Sequence, residues 1–348
     1  MLLCGYVSGG GRGLAAVTED DARKLDLINI AFGTIRDGLL HYPPVEATKK
    51  EMDRVKAAHP GLKILLSIGG WGAGGFSTMA KTPEGIAAFT ASCMETAEAL
   101  ELDGIDVDWE YPTIGSAGID HAPEDKENFT ALLASLRAAL GPEKMLTIAA
   151  GAGKYMTDAI EIPKIVPLLD YLSIMTYDMA GAWTPACHHT ALYPTGHPDV
   201  HNMCVDEAVK IFEEAGVPAD KLVIGAAFYS RRWTHIPAAD NLGFGERCYD
   251  PNDKESGFWG PGYGEISKRA DPDAPESKGW ILVRDDVAHA RWLYNPEKEE
   301  FLSFDDEESC AEKMRYAADR GLCGVMYWEH GSDPTRKLLA ALADARNA

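Results

Sequence analysis

The chain has 348 residues, enough for one large core, and its composition is that of an ordinary globular protein: 46% hydrophobic and 25% charged, with no low-complexity run. Acidic residues outnumber basic ones by 54 to 33, a formal net charge of -21. So acidic a surface repels phosphate backbones and anionic lipid, which argues against nucleic acid or a membrane as partner and leaves a neutral polymer open.

No apolar stretch approaches the roughly 20 residues needed to span a bilayer. The chain opens Met-Leu-Leu-Cys-Gly-Tyr, with neither a basic segment nor a long apolar one ahead of the first strand-like run. Cys4, Cys93, Cys187, Cys204, Cys248, Cys310 and Cys323 are odd in number and lack Cys-x-x-Cys spacing. That pattern reads as scattered thiols rather than a disulfide framework or a zinc site. The expectation is a cytoplasmic monomer without cofactor or metal, the alternative location being secretion with the signal removed.

In chain order, eight short apolar, β-branched runs stand out. They are Leu2–Val7, Leu27–Phe32, Lys63–Ile68, Gly104–Glu110, Met145–Ala150, Tyr171–Tyr177, Leu222–Phe228 and Leu322–Trp328. Most are nearly continuous in apolar character, as parallel strands covered on both faces are. The segments between them carry helix signals. Thr18-Glu19-Asp20-Asp21 has a capping-box pattern, and Thr82-Pro83-Glu84 puts proline in a first turn. Ile86, Phe89, Cys93, Ala97 and Leu100 then follow a helical stripe. Glu127–Leu140 and Val205–Gly216 do likewise, the second closing on a glycine suited to a C-cap. Eight β-then-α units predict an α/β fold of the (β/α)8 TIM-barrel class.

Between Thr234 and Ser303 this rhythm breaks. The stretch is rich in Gly, Pro and aromatic residues and too long for an ordinary βα loop. It predicts a small α+β insertion at 234–303 after the seventh strand, with the barrel formed by 1–233 and 304–348.

Two features imitate other functions. Ser8-Gly9-Gly10-Gly11-Arg12-Gly13 follows the first strand, but no placement yields Gly-x-Gly-x-x-Gly, so a dinucleotide site is not expected. His188, His189, His197 and His201 cluster in one segment. Pro198 opposes a helix there, and no His-Glu-x-x-His occurs, so these read as loop residues rather than metal ligands.

The chemistry is concentrated in the fourth strand, Asp103-Gly104-Ile105-Asp106-Val107-Asp108-Trp109-Glu110. Side chains alternate with period two, so Asp106, Asp108 and Glu110 share a face, which in a barrel strand is the interior. Glu110 then lies highest, at the C-terminal mouth where barrel enzymes keep their active sites. Three carboxyls so close cannot all ionise, so a proton is shared and some pKa values rise, as a general acid requires.

This run resembles the signature of glycoside hydrolase family 18, the chitinases. Four further motifs are similar to the family's and fall in the same order: Ser67-Ile68-Gly69-Gly70-Trp71, Met175-Thr176-Tyr177-Asp178 continuing through Ala180-Gly181-Ala182-Trp183, Phe228-Tyr229-Ser230-Arg231, and Gly324-Val325-Met326-Tyr327-Trp328-Glu329. Ser230 departs from the glycine common at that place, and Glu329–Asp333 departs after the last strand.

The resemblance implies hydrolysis of β-1,4 links between N-acetylglucosamine units, in chitin or chitooligosaccharides, by substrate-assisted retention, an exception to the two-carboxylate scheme. It makes Glu110 the acid. Asp108 orients the acetamido group, Asp106 holds the shared proton and releases it as Asp108 turns toward the substrate, and Tyr177 donates to the acetamido carbonyl. Asp178 binds the same sugar, while Tyr6 and Ser67 support the lower carboxyls. Trp328 forms the floor under the cleaved sugar, Trp71 and Trp183 line neighbouring subsites, and Gly70, Tyr111, Met175, Tyr229 and Arg231 fall at further groove positions. An endo-β-N-acetylglucosaminidase acting on N-glycans, or a chitin-binding lectin on the same barrel, are the alternatives.

Overall fold

The structure is a computed structural model and describes residues 1–198, 200 and 203–347. Fourteen strands occur in the described residues. In chain order these are β1 (Leu2–Ser8), β2 (Leu27–Arg36), β3 (Leu39–His41), β4 (Lys63–Gly69), β5 (Gly104–Asp108), β6 (Met145–Gly151) and β7 (Tyr171–Met175), then β8 (Leu222–Ala227), β9 (Tyr229–Trp233), β10 (Phe258–Gly262), β11 (Ile281–Asp285), β12 (Ala290–Asn295), β13 (Glu300–Phe304) and β14 (Gly324–Trp328). One sheet has the order β1-β14-β8-β7-β6-β5-β4-β2-β3, and β1 also pairs with β2. That last pairing closes eight strands into the expected (β/α)8 barrel, and β3 only extends β2 as an antiparallel hairpin.

The four helices that carry a sequence signal form at or close to it. Thr18 and Asp21 cap Glu19–Lys24 reciprocally, the Thr18 hydroxyl accepting from the Asp21 amide at 3.0 Å and the Asp21 carboxylate from the Thr18 amide at 2.9 Å. Thr82 caps Pro83–Leu100, whose stripe Ile86, Phe89, Cys93, Ala97 and Leu100 is buried. Asp125–Leu140 starts two residues ahead of its expected onset. Val205–Glu214 ends just short of Gly216, which takes φ 101°.

The chain forms two compact units. The first contains Met1–Met175, Ile211–Val223 and Arg320–Met326, and the second Thr176–Lys210, Ile224–Asp319 and Tyr327–Ala348. The second holds an antiparallel sheet of order β10-β9-β13-β12-β11 and the helix Tyr263–Ala270. This sheet begins at Tyr229, ahead of the Thr234 boundary that composition suggested. Its core is aromatic: Trp233, Phe244, Trp292, Tyr294 and Phe301 pack with Ala180, Ala186 and Cys187. Asp305, just past β13, ties the end of β8 to this sheet. It accepts from the Ala227 amide at 2.9 Å and from the buried Lys313 ammonium at 2.5 Å. At one margin of the sheet β11 stands as an edge strand with Ile281 and Leu282 exposed.

Candidate active site

β5 sets an acidic column in the first unit. Its alternation sends Asp106 and Asp108 to one face, while the next odd residue, Trp109, stacks on Phe76 at 5.1 Å and meets Phe129 edge-on at 5.6 Å. Trp109 is therefore core. β5 pairs with β4 only as far as Asp108, opposite Gly69, so Glu110 lies beyond the strand rather than inside it. All three carboxyls are buried, Asp106 at 0%, Asp108 at 3% and Glu110 at 8% exposure.

Asp106 is held by three hydroxyls. Tyr6 and Ser67 each donate to its Oδ2 at 2.8 Å, and Thr147 donates to Oδ1 at 2.6 Å. Burial raises the Asp106 pKa, and these three donors pull it back by favouring the carboxylate. Asp108 has no such support: its Oδ1 is buried without a hydrogen-bond partner. Burial first, then the neighbouring charges of Glu110 and Asp106, push its pKa well up. Burial thus favours the protonated form of Asp108 more strongly than that of Asp106.

Gly70 does not offer a side chain to a ligand but makes room in the wall. Its φ is 92°, its amide donates to the Asp108 carbonyl at 2.9 Å, and a Cβ would strike the Phe32 ring at 2.6 Å. Trp71, next along, is 54% exposed and meets the edge of Tyr111 at 6.4 Å. Tyr111 in turn meets Tyr155 at 5.4 Å. Met175 ends β7, half-buried.

The second unit holds a cluster of its own around Asp178 and Arg231. Tyr177 and Asp178 follow β7, and the Tyr177 ring meets Tyr229 at 6.1 Å. Arg231 on β9 bridges two partners: Nε donates to Asp178 Oδ1 at 2.7 Å and one terminal nitrogen to the Gly257 carbonyl at 2.8 Å. Its guanidinium lies 5.9 Å from the ring centres of both Trp183 and Trp259, and the Trp259 indole donates to Asp178 Oδ2 at 3.4 Å. His189, fully buried, brings Nδ1 to 3.5 Å from Asp178 Oδ1. Burial would raise Asp178, but hydrogen bonding to His189 and Arg231 outweighs it and holds the carboxyl below the usual range. Trp328 ends β14 partly exposed, with its carbonyl accepting from the Phe228 amide at 2.8 Å.

Thr147, Tyr155, His189, Gly257 and Trp259 were not read as site residues from sequence. Only Thr147 had a usable signal, because counting along Met145–Ala150 puts it directly opposite Asp106. Of the histidine group, His188 pairs with Asp285 at 3.2 Å, and His197 packs its ring on Phe244 at 5.7 Å. His201 lies outside the described residues. Among the described residues no cysteine is paired, and no helix is long and apolar enough to cross a membrane.

Three buried carboxyls in succession, with the exposed Trp71 against Tyr111 next to Glu110, suit acid catalysis on a sugar polymer. The chain is similar to several known proteins. Chitinase A1 of Niallia circulans is 33% identical over 311 residues, covering 85% of this chain and 44% of that protein. Chitinase 63 of Streptomyces plicatus is 28% identical, covering 94% and 57%. The chain thus spans about half the length of these two relatives. A solved family 18 N-acetylglucosaminidase from Paenibacillus barengoltzii is 40% identical with a TM-score of 0.90, covering 99% of both chains. The model of the glycosyl hydrolases family 18 matches residues 3–333, and the chain belongs to that family.

Proposed function

We propose that this chain hydrolyses β-1,4 links between N-acetylglucosamine units, in chitin or chitooligosaccharides, with retention and with the substrate's own N-acetyl oxygen as nucleophile. The observation that carries this reading is the buried column Asp106, Asp108 and Glu110, in which Asp106 is hydrogen-bonded on both oxygens and Asp108 is not. Glu110 protonates the glycosidic oxygen. The acetamido oxygen attacks the anomeric carbon from the opposite face, forming an oxazolinium ion that water then opens. To accept the acetamido N–H, Asp108 must be ionised, so its proton passes down to Asp106 as it turns toward the substrate. Tyr177 donates to the acetamido carbonyl, and Asp178 and Arg231 hold the sugar's hydroxyl edge. Tyr6 and Ser67 keep Asp106 in place. Trp71, Trp183 and Trp328 cover the apolar faces of successive rings.

A second reading differs in where the chain is cut. The end-to-end likeness to the Paenibacillus N-acetylglucosaminidase favours release of single sugars. Digestion of a chitin hexamer labelled at its reducing end separates the readings through product length and anomer. Dimers and trimers, initially β-anomeric, are expected. Single sugars from the earliest time point would favour the second reading. Binding without cleavage would mean a lectin and overturn both, and cleavage of a high-mannose glycopeptide instead would move the substrate to N-glycans.

A further inference from the structure

We propose a zinc site in the segment between β9 and β10, formed by His235, Cys248 and Asp253. The imidazole nitrogen, the sulfur and a carboxylate oxygen of these residues all lie within 4.8 Å of one another. His235 Nδ1 is 2.9 Å from Asp253 Oδ2. A tetrahedral zinc ion with bonds of roughly 2.0–2.3 Å wants its ligand atoms roughly 3.3–3.8 Å apart, so small side-chain rotations suffice. No short spacing motif joins these three residues, which is why a pass over the cysteines finds no zinc pattern.

The surrounding chain already holds the ligands in place. Asp253 Oδ1 accepts from the amides of Glu255 and Ser256 at 2.9 and 3.1 Å, leaving Oδ2 to Thr234 and His235. The two ends of the segment are laced together. The Thr234 amide donates to Ser256 Oγ at 3.0 Å, and that hydroxyl donates back to the Thr234 carbonyl at 3.1 Å. The Tyr249 amide donates to the His235 carbonyl at 3.1 Å, which brings the backbone beside Cys248 back to His235. Cys248 is partly buried against the aromatic core of this unit.

The donor set selects the metal. One thiolate, one imidazole and one carboxylate suit a borderline ion such as Zn2+, and their two negative charges cancel its own. Calcium and magnesium want only oxygen. On binding, the Cys248 thiol proton leaves to solvent as the sulfur–zinc bond forms. His235 loses its Nδ1 proton to solvent and takes one up on Nε2, a change of tautomer with no net proton lost, so that Nδ1 is free to coordinate while Asp253 Oδ2 exchanges its imidazole hydrogen bond for the metal. A water takes the fourth position.

The ion would brace the segment that leads straight into Gly257 and Trp259, the residues that hold Arg231 and Asp178. The site stands apart from the proposed hydrolysis and does not depend on it.

The test uses the full chain, stripped of metal by a chelator and titrated with Zn2+ alone and with Co2+ alone. One equivalent should bind, and the cobalt form should show a thiolate-to-metal absorption band. Cys248→Ser should abolish the band and weaken zinc at least about a hundredfold, beyond the roughly 10–100-fold expected for losing an outer partner of a ligand. His235→Gln should weaken zinc comparably. In the unmutated chain, zinc should protect Cys248 from alkylation, read by mass spectrometry, so the outcome does not depend on a variant folding. Failure of zinc to bind, a band that survives Cys248→Ser, or alkylation of Cys248 undiminished by zinc would each overturn the proposal.

Discussion

A carboxyl buried beside two others, as Asp108 is, is costly to ionise, and burial together with Glu110 and Asp106 raises its pKa well above the ordinary value. Because the folded pKa lies above the unfolded one, the stability linked to this group is fully present below the unfolded pKa. It is lost as pH rises through the folded pKa. Asp108→Asn should therefore raise the free energy of unfolding at neutral pH, by at least about 1 kcal/mol, while turnover falls steeply. In acid the stability difference should vanish. Urea unfolding of both proteins at an acidic and a neutral pH checks this, and an equal gain at both would mean that Asp108 is not the group that titrates. Asp178 has the opposite sign. Held below the usual range by His189 and Arg231, it contributes stability above its unfolded pKa that is lost as pH falls through its folded one.

The β9 strand shows what a single element contributes. Arg231 sits on it between Asp178, the Gly257 carbonyl, Trp183 and Trp259, and its planar fork reaches two acceptors at once. Lysine would keep the charge and lose the fork. Arg231→Lys should raise KM on long oligomers about tenfold, with a smaller change in kcat, which steady-state kinetics on a length series would report. Gly257 makes the approach possible: at φ 83°, a Cβ there would stand 2.3 Å from the Ala182 nitrogen. Little of this clamp could be read in the sequence, because Asp178, His189, Arg231, Gly257 and Trp259 meet only through the path of long connections. The acidic column was legible, since period-two alternation needs nothing beyond its own strand. Its upper limit was not: side-chain period continues to Glu110, whereas the strand stops where pairing with β4 stops, at Asp108. β9 was hidden for a related reason. Only Phe228 separates it from β8, and the run of apolar residues gives no sign that the chain changes sheets.

At the scale of the whole molecule the excess of acid over base decides how charged polymers are met. Fully deacetylated chitosan is cationic and should be drawn to a chain of net charge -21, yet it lacks the acetyl oxygen that the proposed reaction needs. It should bind at low salt, release at high salt and remain uncut. Partly acetylated chitosan should be cut only after an acetylated unit, and sequencing the new reducing ends provides the measurement. Glucosamine there as often as N-acetylglucosamine would remove substrate assistance and make Asp108 the nucleophile. The same charge also guards the edge strand β11, where Ile281 and Leu282 lie 38% and 45% exposed beside unpaired backbone groups. That guard is electrostatic and so conditional. The sequence pI is about 4.8, and near that pH the mutual repulsion between molecules disappears while the sticky margin remains. Buffers near the isoelectric point are therefore where turbidity on storage is expected first, and a neutral or mildly alkaline buffer of low ionic strength is where the protein keeps best.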